Sequence, residues 1–154
     1  ISAQAERLGL PNVIAAQHDA TQPFEEFEGI ADCVLVDAPC TGLGTACHRP
    51  DVKWNKKQED AAALAKLQRQ ILQNASRSVK PGGKLIYCTC TFTQTENEDV
   101  VGWFLANNAA FHLTPLTLPK NMPGHSDEKS GMLRLWPQIH QTDGFFIGAM
   151  EKIS

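Results

Sequence analysis

Apolar and polar positions divide the chain into short segments of contrasting period. From Glu59 to Val79, Leu64, Leu67, Ile71, Ala75 and Val79 recur at steps of three and four. That is one apolar stripe on a helix, which Pro81-Gly82-Gly83 ends. Asp32-Cys33-Val34-Leu35-Val36-Asp37 and Lys84-Leu85-Ile86-Tyr87-Cys88 are apolar runs without clean alternation, the pattern of strands covered on both faces. Asn12 to Gln17 reads as a strand before them, Phe111-His112-Leu113 as a shorter one, and Gly144 to Met150 as a strong last strand. Ser2 to Leu8 reads as a helix with Ala3, Ala5 and Leu8 on its apolar side and Gly9 as its stop. A further helix is expected over Glu96 to Asn107, with Thr95 as N-cap and Glu98 completing a capping box. Leu116 to Trp136, interrupted by Pro and Gly, is expected to be irregular. Strands alternating with helices imply βαβ units, an α/β fold and a largely parallel sheet that places ligands at the carboxyl ends of its strands.

Composition narrows the class. A chain of 154 residues, 42% of them hydrophobic, suits one globular domain. No apolar run approaches the roughly 20 residues that span a bilayer. Ile1 to Leu10 contains Glu6 and Arg7 and has no signal-peptide apolar region, so a cytoplasmic protein is expected. Fourteen basic against 17 acidic side chains give a net charge of −3. A stand-alone nucleic-acid binder usually carries a basic excess, so any grip on nucleic acid here must be local or come from another domain. The five cysteines are an odd set and read as free thiols in a reducing compartment.

Two cysteines fall at the predicted strand ends. Asp37-Ala38-Pro39-Cys40 sets a carboxylate and a thiol three residues apart, with Pro39 stiffening the turn and Gly42 and Gly44 allowing close approach by a ligand. The alternative is a strand-ending Asp beside an inert buried Cys. In Cys88-Thr89-Cys90-Thr91, Cys88 is expected to pack as a small apolar residue and Cys90 to face the cleft. No paired knuckle with zinc spacing occurs, and C-x-x-C is absent, so neither a metal site nor a redox pair is expected. Ala38 to Asn55 is a long loop of the kind that tends to be functional. It leads into the one locally basic stretch, His48 to Lys57, where Arg49 and Trp54 are candidates for contact with RNA. A solvated helix approach with Trp54 in the core is the competing reading.

Together these residues carry a resemblance. Asp37-Ala38-Pro39-Cys40-Thr41-Gly42, His48-Arg49-Pro50-Asp51-Val52-Lys53-Trp54, Leu67-Gln68, Pro81-Gly82-Gly83, Tyr87-Cys88-Thr89-Cys90-Thr91, Glu96-Asn97-Glu98 and Asp143-Gly144-Phe145-Phe146 occur in this order over nearly the whole chain. In that order they resemble the Sun/Fmu (RsmB-like) family of S-adenosylmethionine-dependent RNA 5-methylcytosine methyltransferases. The resemblance implies a Rossmann-like methyltransferase sheet and a thiolate that adds to carbon 6 of cytosine before carbon 5 takes the methyl group. It implies Cys90 as nucleophile, Cys40 as the thiol that assists product release, and Asp37 as the group holding the cytosine's ring nitrogen and amine. It implies Asp19 and Asp37 as contacts to S-adenosylmethionine, and Pro39 and Arg49 as contacts to an RNA substrate, ribosomal RNA being the expected class. A DNA cytosine methyltransferase would use Cys40 as nucleophile and carry Glu-Asn-Val, which this chain lacks. An amino-methyltransferase would show Asp/Asn-Pro-Pro-aromatic where this chain has Asp-Ala-Pro-Cys. Thr41 and Thr91 stand where the family often has Ser, and both keep the hydroxyl.

The Gly-rich loop and acidic strand end that such enzymes use for the cofactor do not precede Asp19. Residues 1–154 are therefore expected to be the carboxyl-terminal portion of one methyltransferase catalytic domain, lacking the first two strands. Alone they are expected to be inactive and to bind S-adenosylmethionine weakly or not at all, their partner being the missing amino-terminal part. A natural short chain acting as a non-catalytic RNA-binding or assembly module is the alternative.

Overall fold

The computed structural model describes residues 1–55, 58–117 and 130–153. In chain order its elements are α1 (Ser2–Arg7), β1 (Ala31–Asp37), α2 (Val52–Asn55), α3 (Gln58–Ser78), β2 (Val79–Thr89), α4 (Glu98–Asn107), β3 (Phe111–Leu113), β4 (Met132–Leu135), α5 (Pro137–His140) and β5 (Phe145–Lys152). β1 and β2 run parallel, joined through α3, with Val36 opposite Tyr87 and Asp37 opposite Cys88. β5 pairs antiparallel with the other side of β2, and its far edge takes β4 and then β3, both antiparallel. The fold is the expected α/β arrangement. Among the described residues, however, only the β1–β2 ladder is parallel.

The core lies between one face of this sheet and the helices α3 and α4. Leu72 of α3, Leu85 and Tyr87 of β2, Val100, Val101 and Phe104 of α4, and Phe146 and Met150 of β5 are closed to solvent. Burying a side chain of this size stabilises the fold by about 1.5–3 kcal/mol. Among the described residues no helix packs on the opposite face: Leu35, Ile86, Phe145 and Ile147 line an open hollow there, and Leu35 is 65% exposed. The expectation that β1 is covered on both faces is therefore corrected, whereas in β2 Ile86 is half-buried and Cys88 buried. An unbroken apolar run records that a residue can be buried, not that one of the described residues covers it. Among the described residues, no helix is long and apolar enough to cross a membrane.

Three further expectations change. Asn12 to Gln17 pairs with no strand among the described residues, and Val13 and Ile14 stand exposed; a β pattern without a partner does not form a ladder. Thr95 is not the cap of α4. A 3₁₀ turn over Gln94–Glu96 comes first, and the N-cap is Asn97, whose side chain makes no capping bond. Its amide instead accepts from the Thr89 hydroxyl (2.6 Å) and donates to the Thr91 carbonyl (3.0 Å). Glu98 binds Arg134 rather than the chain before the helix. Finally, part of the stretch expected to be irregular is β4, held by the buried Leu133; the region 118–129 lies outside the described residues.

Candidate active site

The parallel pairing of β1 and β2 fixes where the site can form. With Asp37 in register with Cys88 and the Ala38 amide donating to the Cys88 carbonyl at 3.0 Å, the two chains leave the sheet side by side. Cys40 follows on one and Cys90 on the other, and their sulfurs lie 3.2 Å apart. They form the floor of a cleft of about 660 Å³ whose wall includes Asp37, Pro39, Arg49 and Asp51. That size falls within the range of ligand pockets.

Glycines let a third segment close on the Cys90 loop. The Gly44 amide donates to the Cys90 carbonyl, and the Gly144 amide to the Gly44 carbonyl, each at 2.9 Å. A Cβ on Gly44 would stand 2.1 Å from the Gly144 oxygen, and one on Gly144 would stand 2.0 Å from the Phe92 ring. No larger residue fits this crossing.

Behind the cysteines is a buried polar network. The Glu96 side chain is wholly buried, and four donors converge on it. Oε1 accepts from the Thr41 amide (2.9 Å) and the Gln68 amide group (3.1 Å), and Oε2 from the hydroxyls of Thr41 and Thr93 (both 2.7 Å). Thr41 Oγ1 lies 2.7 Å from Thr91 Oγ1, and the Gln68 amide group also reaches the Pro39 carbonyl at 2.8 Å. The Tyr87 hydroxyl donates to the Glu96 carbonyl at 2.6 Å, and burial pushes its pKa upward.

The electrostatics of the thiols follow from this enclosure. Burial, reinforced by the adjacent Cys90, pushes the Cys40 thiol up to about 12. Burial, followed by the charges of Asp37 and Cys90, pushes Cys88 up to about 11. Cys88 is buried as expected, its thiol directed to the Val36 carbonyl at 3.4 Å.

The structure brings Asp37, Pro39, Cys40, Arg49 and Cys90 together around one cleft. Asp19 is not on its lining. It is exposed in a turn in which one carboxylate oxygen accepts from the Thr21 amide (2.9 Å) and hydroxyl (2.7 Å), bonds that hold its pKa below the usual value. Arg49 is exposed, 3.9 Å from Asp51. Trp54 is 85% exposed, which removes the reading that places it in the core. Glu96, Gln68 and Thr41 were given no role from sequence, although Gln68 carried a signal: it is a polar residue four positions after Leu64, inside the apolar stripe of α3.

The chain is similar to known proteins over nearly its full length. Residues 1–151 match the family of 16S rRNA methyltransferase RsmB/F. The probable ribosomal RNA small subunit methyltransferase B of Bacillus subtilis (strain 168) is 41% identical over 99% of this chain, which corresponds to 34% of that protein. The human 28S rRNA (cytosine(4447)-C(5))-methyltransferase is 38% identical over 96% of this chain and 20% of its own length. The crystal structure of NSun6 from Pyrococcus horikoshii with SFG superposes with a TM-score of 0.80 at 33% identity, covering 99% of this chain and 38% of that one. The chain thus spans about a third or less of the curated relatives it matches. On the match over residues 1–151, this chain belongs to the 16S rRNA methyltransferase RsmB/F family.

Proposed function

We propose that the protein containing this chain methylates carbon 5 of a cytosine in ribosomal RNA, with S-adenosylmethionine as donor and Cys90 as a covalent nucleophile. The observation that carries this reading is the pair of sulfurs 3.2 Å apart on the floor of a cleft bordered by Asp37. The names of the relatives support the substrate class, and SFG, an S-adenosylmethionine analogue in the archaeal neighbour, supports the donor. The residues present fit the methyl-bearing end of that donor, because the exposed carboxylate of Asp37 on the cleft wall suits a cationic sulfonium. Asp19, outside the lining, is assigned to its adenosine end. The reading includes a cytoplasmic site of action, where thiols stay reduced. Residues 1–154 form the carboxyl-terminal portion of the catalytic domain in this reading.

Cys90 Sγ adds to carbon 6 of the cytosine while Asp37 supports protonation of the ring nitrogen, and carbon 5 becomes nucleophilic. S-adenosylmethionine, when bound, supplies the methyl group that carbon 5 takes. Carbon 5 then gives its proton to water in the cleft, the freed electron pair restores the bond between carbons 5 and 6, the pair of the carbon 6–sulfur bond returns to Cys90, the ring nitrogen gives its proton back to Asp37, and the methylated base leaves. Cys40 suits the release step. Its sulfur stands 3.2 Å from Cys90 Sγ, beside the carbon–sulfur bond that must break. Pro39 and Arg49 line the approach for the RNA.

The test is trapping. Full-length protein incubated with S-adenosylmethionine and RNA carrying 5-azacytidine is expected to form an adduct that peptide mapping assigns to Cys90. Cys90→Ala is expected to abolish turnover, and Cys40→Ala to accumulate adduct on ordinary RNA. Adduct accumulating in Cys90→Ala would reverse the two roles, and no adduct with any rRNA would favour a non-catalytic RNA-binding module.

A further inference from the structure

Glu96 touches neither sulfur, yet every bond of its carboxylate reaches the segments that carry them or the helix behind them. Two of its four bonds go to Thr41, the residue after Cys40, one to Thr93 on the Cys90 loop and one to Gln68, which itself holds the Pro39 carbonyl. The arrangement also has a direction. Thr41 has one hydroxyl proton, and it goes to Glu96 Oε2, so the 2.7 Å contact between Thr41 and Thr91 must be a donation from Thr91. One acceptor therefore orients hydroxyls on both cysteine loops. A buried carboxylate is costly unless fully bonded, and this one is bonded four times, which makes its position well determined.

We propose that Glu96 is a positioning residue that holds Cys40 against Cys90, so that its loss leaves addition to cytosine intact and slows release. This inference rests on the thiolate reading given above. Glu96→Gln keeps the shape but turns one acceptor oxygen into a donor. That donor faces either the Thr41 amide, which cannot accept from it, and the Gln68 side chain, which can accept only by turning its oxygen inward and giving up its donation to the Pro39 carbonyl, or the two hydroxyls, which must then reverse. In both cases the bonds on either side of Cys40, at Pro39 or at Thr41, must rearrange.

The experiment uses the full-length protein with ordinary rRNA substrate and S-adenosylmethionine. Glu96→Gln is expected to lower kcat by about tenfold to a hundredfold, the scale of lost hydrogen bonds to a charged group. Its KM is expected to fall together with kcat, leaving kcat/KM near the wild-type value, and a covalent RNA–protein complex absent from the wild type is expected to accumulate. Added to Cys40→Ala, the substitution is expected to cause no further loss, because both act on one step. A Glu96→Gln protein that turns over like the wild type, or effects that multiply in the double variant, would overturn the inference. Should Glu96→Gln fail to fold, Thr41→Val removes one hydroxyl and keeps the backbone bond; accumulation of complex by that variant supports the inference, and its absence counts against it. A wild-type protein that methylates no RNA defeats the functional reading itself, an outcome distinct from an active wild type indifferent to Glu96.

Discussion

Protonated thiols are the residue-level feature with the clearest solution consequence. Cys40 and Cys88 are raised from an ordinary value of 9.0 to about 12 and about 11, burial being the first cause for both. The folded chain keeps protons that the unfolded chain releases, so their contribution to stability is present below about pH 9 and is lost as pH rises toward 11 and 12. The melting temperature is therefore expected to fall between pH 9 and 11, and Cys88→Ala to fall less steeply, as calorimetry would read. Equal slopes for the two would refute the assignment. At pH 8, iodoacetamide is expected to label the exposed Cys33 and Cys47 well before Cys88.

At the scale of elements, the Gly44–Gly144 crossing is where a single methyl group should matter most. Gly44→Ala drives a methyl group into the Gly144 carbonyl, 2.1 Å away, and is expected to cost about 1–3 kcal/mol in urea unfolding. Gly102→Ala, inside α4 with open space at its Cβ, is expected to stabilise by roughly 0.5–1 kcal/mol. Similar melting of the two variants would show that the crossing tolerates displacement. Elements of this kind divide by how visible they are in sequence. α3, β1, β2 and β5 were legible because their periodicity and punctuation are local properties. Asn12 to Gln17 was misread because a strand exists only with a partner, and pairing is not written in its own residues. The Asn97 cap was misread because its amide serves β2, a contact between segments that sequence spacing does not reveal. The cleft was half legible: Cys40, Cys90 and Asp37 mark strand ends, while Glu96 became visible only once four donors were seen to meet there.

Over the whole molecule, stability comes from one side of the sheet. β1 leaves an unpaired edge among the described residues, and Leu35 (65%), Ile30 (60%) and Ile14 (92%) present apolar surface to water. Open edges next to apolar surface template association. Residues 1–154 produced alone are expected to self-associate with concentration in sedimentation velocity, and Leu35→Lys, whose side chain points away from the core, to favour the monomer. A wild-type chain monomeric at every concentration would contradict this. The adjacent parallel ends of β1 and β2 carry a consequence of another kind. They offer two nearly equivalent stations for a nucleophile, and the sheet itself favours neither. In the proposed mechanism the division of labour between the two thiols would rest on a few hydrogen bonds around them, so exchanging their roles over evolution would require changes among those neighbours and none in the scaffold.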